Sequence, residues 1–261
     1  MKSNIFSSIT ICIALILFAT ACEGPLVIPC EKGESSTITE TRNIQDFKQL
    51  IIELPANIHL SQDSVFSLEI DAQENILEII ETSLTGDILE ITSDRCLRNH
   101  DPITIRISMP EVTMIDVKGS GDVISQDRFT TDNLDLKIVG SGDIHLNADV
   151  QFLNARILGS GDMHIDINAT DIDSKVTGSG NIELSGQSEN HNIDIDGHGD
   201  VHAFDATTNQ ADVNIRGSGT AELFVTSTLD VKITGSGDVF YKGNPLVDAD
   251  ISGSGNVVDA N

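Results

Sequence analysis

Acidic and amide side chains recur directly behind a Gly-x-Gly element in the second half of the chain. These residues are Asp122, Asp143, Asp162, Asn181, Asp200, Asp238 and Asn256, with Thr220 in the remaining copy. Stacked copies would place Asp122, Asp143 and Asp162 about 4.8 Å apart, where carboxylates repel unless they share a cation such as Ca²⁺ or are hydrogen-bonded. The alternative is a structural role, in which each side chain accepts backbone N–H groups of the turn. The nonapeptide spacing of calcium-binding β-rolls is absent, which favours the turn role.

A second set of residues lies five residues after the first glycine of each element, and most of its members are histidine or glutamate. The set consists of Ile124, His145, His164, Glu183, His202, Glu222, Phe240 and Val258. Imidazole and carboxylate groups bind transition metals. The candidate metal residues are His145, His164, Glu183 and His202, with His198 nearby. The alternative is a solvated face, since ligands in one line make a poor tetrahedron. The sequence therefore assigns no metal site and no cofactor.

Serine stands between the two glycines in seven of the eight copies, beside aspartate, which raises the question of Ser-His-Asp chemistry. A nucleophile elbow is a single strained strand-to-helix turn, whereas turn serines at equivalent positions of a repeat are structural. The short spacing of the copies also leaves no room for the long loops that build a catalytic cleft. We expect no enzymatic activity, and no catalytic residue is assigned.

The Gly-x-Gly elements themselves reveal the architecture. They begin at Gly119, Gly140, Gly159, Gly178, Gly197, Gly217, Gly235 and Gly253, at intervals of 21, 19, 19, 19, 20, 18 and 18 residues. Two residues before each first glycine, and four residues after it, every copy is apolar, and polar residues lie between. Each repeat is thus a strand, a glycine bend and a second strand with one buried face. Such short units bury that face only by stacking, which predicts an all-β fold, a β-solenoid with coils of about 18 to 21 residues.

The composition limits the partners. The chain has 261 residues, 41 Asp and Glu against 15 Lys and Arg, and a formal net charge of −26. A protein with this much negative charge is repelled by phosphate backbones. We therefore expect no nucleic acid as a partner.

The N-terminus reads as a lipoprotein leader. Lys2 precedes an apolar run from Ile11 to Phe18 that is too short to span a bilayer, and small residues then precede Cys22. This arrangement resembles the lipobox of bacterial lipoproteins, although Ala19 replaces the commoner leucine. We predict a signal peptide over 1–21, lipid attachment at Cys22, a tether over 22–34 and a membrane contact through the lipid. The alternative is ordinary secretion after cleavage.

Two further cysteines, Cys30 and Cys96, would meet an oxidising compartment after export. A disulfide between them would tie the N-terminal arm to the Ser93–Asp101 loop. The alternative is two unrelated thiols.

Residues 35–118 continue the β pattern and are expected to form the N-terminal part of the same solenoid, which residues 119–261 complete. Alternation at 66–70, 88–91 and 103–107 indicates half-buried strands. The spacing of Ile76, Leu77, Ile79 and Ile80 predicts one helix over Gln73–Glu81. Because no capping helix follows Asn256, we expect the C-terminal coil to be covered by a partner, most simply a second copy in a homo-oligomer.

At this level the residues resemble a family. Ile58-His59-Leu60-Ser61-Gln62-Asp63, the strand 103–110 and Val117-Lys118-Gly119-Ser120-Gly121-Asp122 are similar to the head GIN domain family of auto-transporter adhesins, found especially in Bacteroidetes-type bacteria. Pro55-Ala56-Asn57-Ile58 departs from the Gly-Ile-Asn or Gly-Ile-Asp of that family. The resemblance implies a right-handed parallel β-helix, a role in adhesion and no catalytic residues.

Two functions remain open from the sequence. The first is a non-enzymatic adhesin or surface binding module on an outer-membrane lipoprotein, with a glycan or protein as ligand. The second is a periplasm-facing lipoprotein with a cation-binding, sensing or envelope-maintenance role.

Overall fold

The structure is a computed structural model that describes residues 30–261. The predicted signal peptide over 1–21, Cys22 and most of the tether lie outside the described residues. Among residues 30–261, no helix has the length and apolarity needed to cross a bilayer.

The described residues form strands, with one helical turn. The N-terminal elements are β1 (Glu31–Lys32), β2 (Thr37–Thr41), β3 (Gln49–Ile52), β4 (Ala56–Gln62), β5 (Ser67–Gln73), α1 (Glu74–Leu77), β6 (Ile80–Thr85), β7 (Ile88–Ser93), β8 (Leu97–Arg98) and β9 (Ile103–Met109). The repeat elements are β10 (Met114–Gly119), β11 (Asp122–Thr130), β12 (Asn133–Gly140), β13 (Ile144–Asp149), β14 (Phe152–Gly159), β15 (Met163–Asn168), β16 (Asp171–Gly178), β17 (Ile182–Gly197), β18 (Val201–Gly217), β19 (Thr220–Gly235), β20 (Asp238–Lys242), β21 (Leu246–Gly253) and β22 (Asn256–Asp259).

Each coil of the repeat joins a strand that ends at the first glycine to a strand that begins after the second glycine. Parallel pairing keeps the repeats in register, so that Gly119 pairs with Gly140 and Gly140 with Gly159. The aliphatic residues two positions before these glycines, such as Ile138 and Ile157, are fully buried. The predicted all-β fold is confirmed as a β-solenoid of about eight turns.

The glycine bends are held by close backbone contact between coils. At Gly159 the backbone has a φ of +148°, and a Cβ atom built there would lie 3.0 Å from the carbonyl carbon of Gly140 and closer still to its oxygen. The same oxygen accepts a 2.8 Å hydrogen bond from the Ser160 amide. A side chain at this bend would therefore force the coils apart.

The N-terminal coils are stacked out of sequence order. Strands β3 and β4 pair in parallel with β10 and β11 on one side and with β7 and β9 on the other. The outermost coil is thus the one formed by β7 and β9. Its edges pair antiparallel with β6 and β5, and β5 pairs antiparallel with β2. These three antiparallel strands cap this end of the solenoid.

The predicted helix over Gln73–Glu81 is wrong beyond a single turn. The helix covers Glu74–Leu77, and Ile80 already begins β6. Ile76, Leu77, Ile79 and Ile80 are all buried, as a helical pattern would require. The chain leaves the helix because β6 pairs with β7 along its whole length.

Residues 30–34, the end of the segment predicted as a tether, are held against the folded part. Cys30 and Cys96, which are 66 residues apart in the sequence, form a disulfide. Beside this bond, β1 pairs in parallel with β8. Asn75 donates a 2.7 Å hydrogen bond to the carbonyl of Lys32.

We expect neither of these two cysteines to react with iodoacetamide in the unfolded, unreduced protein. Both should react after reduction, because the bond alone protects them. Peptide mass spectrometry would detect the labels, with Cys30→Ser as the control that frees Cys96. Labelling without reductant would contradict the pairing.

The C-terminal coil, formed by β21 and β22, exposes apolar side chains. Leu246 is 80% exposed, and Val247, Ile251 and Val258 are also exposed. The homo-oligomer through this end stays a prediction.

Candidate binding face

Alternate residues of the second strand in each coil point outward and form one continuous surface, here called the second-strand face. It runs through β5, β9, β4, β11, β13, β15, β17, β18, β19, β20 and β22 in that order. The pairing adds His59 and Arg106 to the histidine set, because Ile124 pairs with His59 and His59 with Arg106. Four of the seven histidines of the chain therefore share one line: His59, His145, His164 and His202.

The aspartates behind the glycine bends connect one coil to the next. The Oδ1 atom of Asp122 accepts the amide of Asp143 at 3.1 Å, and Asp143 accepts the amide of Asp162 at 2.9 Å. Asp162 then accepts both the amide and the side-chain nitrogen of Asn181. The series is interrupted at Thr220, since the Asp238 amide bonds to the carbonyl of Gly219, and it resumes where Asp238 accepts the amide of Asn256 at 2.8 Å. Each of these aspartates thus accepts the amide of the equivalent residue in the next coil, which is a contact between coils and not within its own turn.

The histidines pair with neighbours along their line. The rings of His145 and His164 stack with centroids 4.5 Å apart and an interplanar angle of 11°. His164 also lies 3.1 Å from Glu183, while His202 contacts Glu222 at 2.8 Å. Within residues 30–261, no three His, Cys, Asp or Glu side chains are grouped to hold a metal ion. The line gives each side chain one neighbour per coil instead of a common centre, so the metal hypothesis receives no support.

A polar groove of about 380 Å³ lies at the N-terminal end of the second-strand face. It is lined by His59, Ser61, Ser67, Thr104, Arg106, Ser108 and Gln126. Arg106 contacts Asp71 at 2.7 Å and Glu69 at 3.3 Å. Its hydrogen bond, with a second one from Thr39, holds the pKa of the Asp71 carboxyl below its usual value. The groove therefore offers hydroxyl, amide and imidazole groups beside an arginine that is already paired.

A second groove of about 360 Å³ follows at the middle of the face. Its polar lining comprises Ser125, His145, Asn147, His164, Asp166, Glu183, Ser185 and Asp205. Both grooves are open to solvent, and each is lined by side chains from several neighbouring strands. Such a surface suits an extended ligand better than a small molecule, which needs an enclosing pocket.

Three phenylalanines end the face towards the C-terminus, and the sequence interpretation placed only Phe240 on it. Phe204, Phe224 and Phe240 lie half-buried on three consecutive coils. Together with His202, Glu222 and Lys242 they form what we call the aromatic block. The signal that could have revealed it is the position seven residues after the bend glycine, which holds phenylalanine in two consecutive copies, Phe204 and Phe224.

The first strands present a different outward surface, rich in charge pairs. Arg156 contacts Asp135 at 2.7 Å, and Lys175 contacts Asp194 at 2.9 Å. Arg216 contacts both Asp194 and Asp196, and its hydrogen bond lowers the pKa of the Asp196 carboxyl. Exposed pairs of this kind contribute little to stability. The two partners of each pair neutralise one another's charge.

One histidine of the repeat lies inside the solenoid, and the sequence interpretation missed it. His191 is 1% exposed and lies 2.9 Å from the hydroxyl of Ser174, which is 2% exposed. Burial lowers the pKa of His191 to about 4. The signal was its position six residues before Gly197, where Leu134, Leu153, Ile172 and Leu229 stand in other copies.

One family model matches the chain twice. The family model described as "Putative auto-transporter adhesin, head GIN domain" matches residues 46–165 and again residues 153–245. The chain belongs to this head GIN domain family. Two overlapping matches agree with a solenoid whose coils repeat. The search of curated proteins gave no match.

Solved structures share the fold of this head GIN domain protein. A "putative lipid binding protein" from Parabacteroides distasonis ATCC 8503 has a TM-score of 0.84 at 24% identity and covers 88% of this chain and 100% of its own. A "putative adhesin" from the same organism has a TM-score of 0.83 at 22% identity, covering 87% and 98%. Another from Parabacteroides merdae ATCC 43184 has a TM-score of 0.84 at 21% identity, covering 88% and 99%. At identities this low, the structural similarity establishes the fold alone. The family description places the protein among adhesin-like proteins of the cell surface or envelope.

Proposed function

We propose that this head GIN domain protein is a non-enzymatic adhesin of the cell envelope that binds an extended ligand along its second-strand face. The observation that carries the proposal is the continuity of that face. Two open polar grooves and the aromatic block follow one another on the same sheet, whose strands pair in parallel from coil to coil. The family description as an adhesin supports the same function.

The geometry favours binding over catalysis. The intervals of 18 to 21 residues leave short connections between coils, so the grooves lack the overhanging loops that would exclude water from a reaction. The serines of the bends occupy equivalent positions on successive coils. The Ser174–His191 pair has the residue types of a nucleophile and a base, but both side chains are buried and out of reach of a substrate.

The proposed anchor is a lipid at Cys22 in the outer membrane. Cys22 precedes Cys30 by eight residues (30 − 22), and Cys30 is bonded to Cys96 at the capped end of the solenoid. A lipid at Cys22 would hold the capped end near the membrane. The aromatic block, at the opposite end, would then project towards the ligand.

Proteinase treatment of intact cells tests the orientation. We expect the membrane-bound protein to be degraded while a periplasmic marker survives, because an adhesin must lie outside the outer membrane. The Cys22→Ser variant should be absent from the membrane fraction, since it cannot carry the lipid. Survival of the wild-type protein beside a degraded surface marker would contradict the adhesin function and favour the periplasm-facing alternative.

A further inference from the structure

The phenylalanines of the aromatic block occupy positions that are polar in other coils. Phe224 lies seven residues after its bend glycine, where Asn147, Asp166 and Ser185 stand in earlier coils. Phe240 follows Glu222 in the histidine line and pairs directly with it. Because the neighbouring Val239 and Leu223 already fill the core, the core does not require these two rings. Aromatic side chains gathered on an outward face mark a binding surface.

Phe204 lies at the same outward position of its coil, seven residues after Gly197, and a β-bulge occurs there. The pairing of β17 with β18 shifts between Glu183 and Ser185, so that Ala203 and Phe204 together oppose Leu184. Towards β19 the shift is larger, because Ala203 pairs with Leu223 while Thr207 pairs with Phe224. Bulges re-aim side chains and are enriched beside functional sites. The bulge therefore lies directly beside the ring of Phe204 on this face.

Polar groups alternate with the rings. The ammonium of Lys242 lies 4.2 Å from the centroid of the Phe204 ring, an attractive cation–π contact. His202 and Glu222 are paired at 2.8 Å. Each of the three strands contributes one ring and one polar side chain to the block. These are Phe204 and His202 on β18, Phe224 and Glu222 on β19, and Phe240 and Lys242 on β20. Each ring has a hydrogen-bonding side chain beside it.

We propose that the aromatic block binds the sugar rings of a neutral glycan, a proposal that deepens the adhesin function and rests on it. The C–H face of a hexose ring is apolar and slightly positive, so it packs on an aromatic face, which is negative. The hydroxyl groups at the ring edge can bond to the His202–Glu222 pair and to Lys242. Three coils span about 10 Å at ~4.8 Å per coil, enough for two neighbouring sugar rings.

Other ligand classes fit the block less well. A lipid chain needs an enclosed apolar cavity, whereas the rings lie on an open face beside polar grooves. An apolar protein segment would strip water from Lys242 and Glu222 without replacing their hydrogen bonds. An anionic polysaccharide would be repelled by a protein of net charge −26.

The test uses the purified full chain and immobilised oligosaccharides. The probes are the neutral hexaoses of glucose, N-acetylglucosamine, mannose and galactose, with polygalacturonate as the anionic probe. We expect the wild-type protein to bind at least one neutral hexaose and not polygalacturonate. Phe204→Ala and Phe240→Ala should each weaken that binding at least tenfold. Phe240→Leu, which keeps the apolar volume and removes the flat ring, should weaken it similarly. Phe152→Ala, at a half-buried ring outside the block, should leave it within twofold.

Three results would overturn the proposal. The first is the absence of binding to every neutral hexaose at millimolar concentration. The second is an affinity equal to that of the wild type in the folded Phe204→Ala and Phe240→Ala variants. The third is binding of phosphatidylcholine vesicles or polygalacturonate, in place of the hexaoses, through the same rings. Circular dichroism of each variant separates loss of binding from loss of fold. Because the assay uses protein in solution, its outcome is independent of the orientation measured on cells.

Discussion

Replacement of Gly159 by alanine is expected to lower the free energy of unfolding by at least about 3 kcal/mol. This loss is the sum of two costs, overpacking between the coils and strain in the backbone. The added methyl group would lie 3.0 Å from the backbone of Gly140 and closer to its carbonyl oxygen. A backbone neighbour cannot rotate away as a side chain can. The two coils would have to separate, which would break the pairing between β12 and β14.

Gly119→Ala is the matched control for this substitution. Gly119 has the same place in its coil and also a positive φ, +103°, but a Cβ atom there has no neighbour within 4 Å. We expect it to cost about 1 to 2 kcal/mol, from backbone strain alone. Urea denaturation would give both values, and hydrogen exchange would show whether the loss is centred on the coils around Gly159. Equal losses at the two positions would show that contact between coils does not set the glycine requirement.

Acidification is expected to destabilise the protein through His191. Its pKa is about 4 in the folded state, against about 6.5 in an unfolded chain. Between these values the unfolded state binds more protons, so this contribution to stability is complete above pH 6.5 and is lost as the pH falls towards 4. At pH 4.5 the loss amounts to about 2 to 3 kcal/mol.

The double variant Ser174→Ala with His191→Leu should lack this component. Both replacements are residue types found at the same positions of other coils, such as Ala155 and Leu153. The measurement is the difference in unfolding free energy between pH 7.5 and pH 4.5, compared between wild type and variant, since the carboxylates contribute equally to both. His198→Ser removes an imidazole that is exposed in the folded protein and should behave as wild type. An unchanged pH dependence in the double variant would mean that His191 is not buried in its neutral form.

The repeat half of the fold could be predicted because every coil repeats the same constraints. Glycine at the bend, an aliphatic residue two positions before it and an apolar residue four positions after it fix both the strands and their register. Eight copies make that pattern unambiguous. The same alignment also placed the histidine line, although it did not give the stacking of His145 on His164.

The N-terminal half could not be predicted to the same depth. Alternation of apolar and polar residues is identical in parallel and antiparallel strands, so the cap formed by β2, β5 and β6 left no mark in the pattern. The order of the coils is also invisible without a repeat. The four apolar residues of Gln73–Glu81 satisfied helical spacing, yet pairing with β7 turned the last of them into a strand.

The aromatic block was missed for a local reason. The outward positions of the repeat pattern were followed only to five residues after each bend glycine, whereas Phe204 and Phe224 both lie seven residues after theirs. Earlier copies hold polar residues at that position, such as Asn147, so the two rings depart from the pattern. His191 was also missed, although most other copies are aliphatic at its position, six residues before the bend glycine.

The exchanged order of the N-terminal coils has a consequence for the folding pathway. In the repeat, Gly140 meets Gly159 after 19 residues, whereas Gln49 meets Met114 only after 65. Closing the longer loop costs about 1 kcal/mol more in chain entropy, and contacts distant in sequence form more slowly. We therefore expect the sequential coils to form first, although they are synthesised last. The part expected to fold most slowly is thus synthesised first. Strands β3 and β4 stay unpaired until β7, β9, β10 and β11 have been synthesised.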